Sequence, residues 1–270
     1  MADRPIKVHL GKMTKAEAAD VFNRRPVILL PVGSHEDHGP QTPMGDYLVA
    51  EKLSELVARR ATERGVDTLV APVLPFGGAN FFGAAPGGVA LSQNVMRLVL
   101  AELMENFLRH GLTRLMFVNG HNGNVEPIHD VTLAVYRERK VLIPSYYFWK
   151  PCGAMLRNIL GEEQAKRVHG HMADPVTSVV MHLFPDRIRY DLIPAPVQQP
   201  EVMGLKVTGY GTVAFGGSEF SVPIEVDEVM PDGVWSCDPR LCSPTTGAAL
   251  VEQLTELGAG FVLHYASQTA

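Results

Sequence analysis

Cysteine is scarce in this chain: Cys152, Cys237 and Cys242 are the only 3 among 270 residues. So sparse and odd a count excludes a disulfide framework, and the last two lack the C-x-x-C spacing of a zinc or redox pair. They read as free thiols in a reducing compartment. Positive charge is not in surplus either. Lys and Arg number 24 against 29 Asp and Glu, a formal net charge of −5, so no nucleic-acid partner is expected. Met1 to Pro5 carry no apolar stretch of the kind a secretory signal needs. The one long stretch without charge, Thr68 to Met96, holds Pro72, Pro75 and Pro86 and a run of glycines from Gly77 to Gly88. A membrane-spanning helix does not carry that density of breakers. The expectation is a cytoplasmic protein without a membrane segment.

What is present is the balance of an ordinary folded chain: 46% hydrophobic and 20% charged residues. At this length one α/β domain and two domains are equally expected, with a core that needs no staple; the reading adopted for residues 1–270 is one domain. Val27–Val32 is a short apolar run ended by Gly33 and reads as a buried strand. Thr68–Leu74, Arg114–Val118 and Val141–Phe148 read the same way. Helical spacing of apolar residues lies between and after them, over Tyr47–Arg60, Asn94–His110, Val125–Arg139, Met155–Val168 and Thr246–Tyr265. Alternation of this kind predicts an α/β fold, a mostly parallel central sheet with helices on both faces. Gln198–Asp238, rich in Gly, Val and Thr, predicts extended structure and loops.

Three segments gather histidine and carboxylate beside predicted strand ends. The first is Gly33-Ser34-His35-Glu36-Asp37-His38-Gly39-Pro40, followed by Pro43-Met44-Gly45-Asp46. Residues two apart in an extended segment point the same way, so Glu36 and His38 can face one point, and the glycines let Asp46 fold back onto it. Carboxylate and imidazole suit Zn²⁺, Mn²⁺ or Fe²⁺. The plain alternative is a polar loop with Asp46 as N-cap of the next helix. The second segment, Asn119-Gly120-His121-Asn122-Gly123-Asn124, follows one strand and precedes a helix, the position where open α/β sheets bind ligands. Its two Asn-Gly pairs also fit a hairpin turn. The third is His169-Gly170-His171-Met172-Ala173-Asp174-Pro175-Val176-Thr177-Ser178. Pro175 suits the first position of a helix with Asp174 as its cap; Asp174 as a metal ligand and His171 as a proton-transfer group is the functional alternative.

Taken in order, these segments resemble the signatures of the creatininase (creatinine amidohydrolase) family. Leu30-Pro31-Val32-Gly33 with Glu36 to Pro40 and Pro43 to Asp46 looks like its first, Asn119 to Asn124 its second, and His171 to Ser178 its third. Pro86-Gly87-Gly88 resembles its Pro-Gly-Thr loop, and Gly233 to Pro239 its late glycine-rich stretch. Several ordered motifs are far more specific than any one alone.

The resemblance implies a three-layer α/β/α amidohydrolase with two divalent metal ions, assembled as a homo-oligomer, usually a hexamer. By position, Glu36 and His121 would bind one ion, His38 the other, and Asp46 would bridge them. The reaction implied is hydrolysis of a C–N bond in a small cyclic or linear amide by a hydroxide that the ions share. His171 would pass a proton to the leaving nitrogen. A peptidase or deformylase, or a binding protein with a decayed site, are the alternatives. The chain departs from the pattern at four places. Asp46 lies one residue closer to Glu36 than usual, and Gln41 stands where a His is common. Asp174 replaces a Glu, and Gly123 stands where creatininase carries an acid. The last departure leaves the second ion short of ligands, and Asp174 is expected to complete it. The Phe76–Val89 segment, with Phe81 and Phe82, is expected to line the pocket, although core packing serves those two rings as well.

Overall fold

The computed structural model describes residues 7–82, 85–196, 200–229 and 237–269. Met1 to Pro5 and most of the Gly233 to Pro239 stretch lie outside the described residues.

In chain order, the first elements are α1 (Lys15–Phe22), β1 (Val27–Val32), α2 (Tyr47–Glu63), β2 (Thr68–Val70) and α3 (Gln93–Leu108). There follow β3 (Leu115–Asn119), α4 (Val125–Arg139), β4 (Ser145–Tyr147), α5 (Cys152–Leu160), α6 (Glu162–Val168) and α7 (Val176–Leu183). Next come β5 (Glu201–Val202), β6 (Leu205–Gly209), β7 (Thr212–Phe215), β8 (Ser218–Ser221), α8 (Val226–Val229) and α9 (Pro244–Gln268).

The first four strands form one parallel sheet in the order β2-β1-β3-β4. Its central strand is Val27–Val32, and all of its residues are buried. Side chains alternate across it. Val27 and Leu29, with Met116 and Val118 of β3, pack into the cluster formed with α2, α5, α7 and α9. Ile28, Leu30 and Val32, with Leu115 and Phe117, pack into a second cluster with α3 and α4. The layers are therefore helix, sheet, helix, with a core on each face.

Proline inside a central strand requires a reason, because it cannot donate to the ladder. The N–H groups of Val27 and Gly33 face the β2 side, bonding to Asp67 and Leu74 carbonyls at 2.9 and 3.2 Å. Pro31 faces that same side, past the end of β2 at Val70, so no strand bond is lost there.

Two predicted elements differ from those observed. Met155–Val168 is not one helix: Gly161, at φ 80°, separates α5 from α6, a conformation that side-chain-bearing residues avoid. Gln198–Asp238 is more regular than expected, since β5 to β8 form an antiparallel meander. Its β6–β7 turn, Tyr210-Gly211, reaches the strand ends of the main sheet, as the site shows. Among the described residues no helix is long and apolar enough to cross a membrane.

Candidate metal centre

The order β2-β1-β3-β4 reverses direction at β1. In such sheets the crevice beyond the carboxyl ends of the strands at the reversal is the ligand site. The first two histidine–carboxylate segments leave the ends of β1 and β3, and the third arrives at the same place just ahead of α7.

Asp46 directly precedes α2, yet its carboxylate makes no capping bond to that helix. Instead Oδ1 accepts from the Ser34 N–H at 2.7 Å and the Ser34 hydroxyl at 3.3 Å. The N-cap alternative for Asp46 is thereby set aside. The fold-back needs Gly33, where a Cβ would stand 2.5 Å from the Tyr47 Cα and 2.6 Å from Asp46 Oδ1. The second segment makes no hairpin; Asn122–Asn124 is a single 3₁₀ turn leading into α4.

His121 is buried, and its ring Nε2 lies 2.9 Å from the Gly78 carbonyl oxygen. A carbonyl only accepts, so Nε2 carries the proton and donates it. Nδ1 is left as the metal-facing nitrogen, the usual way an outer partner fixes a ligand's tautomer. That Nδ1 lies 2.9 Å from Glu36 Oε1 and 3.9 Å from Asp46 Oδ2, while His38 Nε2 is 3.4 Å from Glu36 Oε1. The other Glu36 oxygen, Oε2, is buried without a hydrogen-bond partner.

Among the described residues, two clusters have ligand atoms all within 4.8 Å of one another: Glu36, Asp46 and His121, and Glu36, His38 and His171. Two atoms each about 2.0–2.1 Å from a tetrahedral zinc stand roughly 3.3 Å apart. The three separations above bracket that spacing, and Glu36 Oε2 is an unspent buried donor. The donor set therefore fits divalent metal.

Charge compensation in this buried site is tight. Burial opposes a charged His121, but Glu36 and Asp46 outweigh it and hold the ring's pKa at about 9. Burial likewise opposes ionised Glu36, yet His121 and His38 bring its pKa well below the usual carboxylate range. Asp46 goes the other way, raised by burial despite both imidazoles. A pair of cations at this point would satisfy both carboxylates at once.

The third segment divides. The His171 ring faces His38 edge-on at 5.2 Å and stacks on Phe82 at 4.5 Å. Asp174 belongs to neither ligand cluster. It is buried, and its Oδ1 accepts from the Ser178 N–H at 3.2 Å within the first turn of α7. Burial raises its pKa, and hydrogen bonds from Ser178 and Cys242 oppose the rise. The residue brought to His38 in place of the expected Asp174 is His171. Pro175, not Asp174, occupies the cap position of α7, and the Asp174 side chain supplies the capping acceptor from one residue further back.

Asp174→Asn is therefore expected to keep its metal and cost less than about 1 kcal/mol, because Asn caps about as well as Asp. Metal analysis with thermal denaturation checks this. Loss of one ion from a folded Asp174→Asn protein would return Asp174 to the ligand set.

Phe81 lines the cleft, 5.5 Å from the His121 ring, whereas Phe82 is buried beneath His171. Gln41 ties the first segment to the third, its Nε2 donating to the Met172 carbonyl at 2.7 Å and the Thr177 hydroxyl at 3.2 Å. Three cleft residues escaped the sequence reading: Tyr147, Trp149 and Tyr210. Tyr147 ends β4 and Trp149 follows it, so the strand-end rule could have found both. Tyr210 stacks on Phe81 with ring centres 5.0 Å apart. An aromatic flanked by Gly209 and Gly211 in a hairpin turn was its only signal.

Fold and site together define an α/β protein with a buried histidine–carboxylate centre at its strand ends. The chain belongs to the creatininase (creatinine amidohydrolase) family, whose profile matches residues 11–262. It is 30% identical over 169 residues to the mycofactocin precursor peptide peptidase of Mycolicibacterium smegmatis, a match covering 62% of this chain and 61% of that protein. With the creatinine amidohydrolase of Pseudomonas putida it shares 29% identity over 203 residues, 69% of this chain and 75% of that one. Among solved structures, a creatininase variant of the Zn-Zn type superposes with a TM-score of 0.71 at 22% identity, covering 95% of this chain and 97% of the other.

Proposed function

We propose that this creatininase-family amidohydrolase hydrolyses a C–N bond of a small cyclic or linear amide with two divalent ions. The observation that supports the reading is the convergence of Glu36, His38, Asp46, His121 and His171 at one sheet crevice, in two clusters with ligand spacing. Glu36, Asp46 and His121, one of the clusters, would hold one ion; His38, which clusters with Glu36 and His171, would hold the other, with Asp46 the carboxylate proposed to serve both. When bound, the ions would supply a water acidic enough to attack at neutral pH and would polarise the amide carbonyl. A neighbouring family structure of the Zn-Zn type favours zinc as one suitable metal.

The chain's own groups do the rest. The cleft measures about 50 Å³ and is walled by Phe81, Tyr147, Trp149 and Tyr210. It admits little beyond the amide unit. His171 is half-buried, whereas the other four ligand-type residues are buried. It alone can both touch the reacting group and exchange protons with solvent, so it donates to the leaving nitrogen. Its stacking on Phe82 fixes the ring plane for that transfer.

A peptide is the second reading for the substrate. A wider chamber of about 390 Å³ adjoins the cleft, and a peptidase is among the relatives. Metal analysis tests the common reading. About two divalent ions per chain are expected, removed by chelation together with amide hydrolysis and restored with it. Active protein without metal would overturn the reading.

A further inference from the structure

We infer that the chamber beside the cleft is a subsite for a substrate arm ending in a carboxylate, and that Lys150 binds that carboxylate. The inference rests on the amidohydrolase reading and adds the part of the substrate remote from the scissile bond.

The cleft and the chamber adjoin. They share Tyr147, Trp149, His171, Val176 and Tyr210 as walls. The cleft's 50 Å³ holds little more than the reacting amide, so any larger substrate must extend into the 390 Å³ beyond. That volume is in the range of ordinary small-molecule sites, which combine apolar walls with a few placed polar groups.

The walls shared with the cleft include Tyr147, Trp149 and Tyr210, and Lys150 lines the chamber but not the cleft. Lys150 lines the chamber and is exposed. Its backbone N–H bonds to the Tyr147 carbonyl at 3.2 Å, which ties its position to the end of β4. Among the described residues no carboxylate pairs with its ammonium. Asp174 on the same wall is buried; its Oδ1 accepts from the Ser178 N–H at 3.2 Å and its Oδ2 has no hydrogen-bond partner. Lys150 is thus the exposed charged side chain of this wall, while the carboxylate of Asp174 is buried.

Polarity follows from the same layout. With the amide seated at the histidine–carboxylate centre, an arm directed outward into the chamber meets Lys150. The substrate lies with its amide at the histidine–carboxylate centre, an apolar or planar body between the three aromatic rings, and its carboxylate on the lysine.

The test uses metal-loaded full-length protein and paired probes that differ only at the remote group. The pairs are N-carbamoylphenylalanine against its primary amide, and glycylphenylalanine against its primary amide. Binding by calorimetry, and kcat/KM where a probe is cleaved, are measured on wild type, Lys150→Met and Lys150→Glu. The wild type is expected to favour the acid of a pair by roughly tenfold, the scale of one hydrogen bond to a charged group. Lys150→Met should bring that ratio to about one, and Lys150→Glu should invert it. A wild-type ratio near one, a ratio unmoved by both substitutions, or no binding of either acid would overturn the inference. Metal content separates the two levels. Protein that takes up its ions but shows no acid preference refutes the subsite alone, while protein that takes up none refutes the amidohydrolase reading beneath it.

Discussion

Asp46→Ala is expected to leave a folded protein that holds neither ion, and amide hydrolysis should fall by more than about 100-fold. Even outer partners of a metal ligand are worth roughly 10–100-fold, so a shared ligand should cost more. Asp46 is wholly enclosed, and Ser34 fixes one of its oxygens through two hydrogen bonds. Its other oxygen faces His121 Nδ1 at 3.9 Å, and the charge of His38 also acts on it. It is thus a rigid carboxylate between two imidazoles, and removing it leaves two like charges with no common anion. His121→Ala is expected to spare partial occupancy, because His38 and the carboxylates remain. Glu36 makes the comparison informative, since its Oε1 touches both imidazoles, at 2.9 and 3.4 Å. Metal content per chain, measured on Asp46→Ala, Glu36→Ala and His121→Ala, decides the matter. If Glu36→Ala empties both positions and Asp46→Ala only one, the bridge is Glu36.

Sequence was most legible where one local signal acted alone. Val27–Val32 and Val125–Arg139 fall on their predicted limits, the first because an enclosed strand is apolar throughout, the second because its spacing is helical throughout. Legibility was lost where a single backbone angle decided, as at Gly161 between α5 and α6. In the Gly-, Val- and Thr-rich segment the strand pairing is set by turns, and composition did not reveal it. The same contrast runs through the site. Glu36, His38, Asp46 and His121 stand in short segments fixed to strand ends, and sequence order placed them near one another. The third segment folds on itself: the Gly170 N–H bonds to the Asp174 carbonyl at 3.0 Å. His171 joins a ligand cluster and Asp174 does not, although only three positions separate them. Tyr210 comes from a different sheet, and nothing local ties a hairpin turn to a distant strand end.

Asn124 is the residue whose loss should cost most in stability relative to its size. It is fully buried at the start of α4 and makes no helix cap. Its side chain instead joins three loops. Oδ1 accepts from the Gly78 N–H at 2.8 Å, and Nδ2 donates to the Gly33 carbonyl at 3.0 Å and to Asn119 Oδ1 at 3.2 Å. Those are the ends of β1 and β3 and the glycine-rich segment that carries Phe81. Asn124→Ala would strand a buried N–H and a buried carbonyl, each costing about 1–3 kcal/mol. A loss of roughly 3 kcal/mol or more is expected from urea unfolding of the metal-free protein. The damage should reach the metal centre as well, because the Gly78 carbonyl is what orients His121, at 2.9 Å from its Nε2. Metal affinity should then fall at the His121 position by about the 10–100-fold typical of losing an outer partner. Asn124→Asp keeps the acceptor for Gly78 but turns the donor into a second acceptor facing two oxygens, so it should be no milder. Asn122→Ala, two residues earlier and exposed, should change stability by no more than about 0.5 kcal/mol. An Asn124→Ala protein within about 1 kcal/mol of wild type would show that the three loops hold their positions without it.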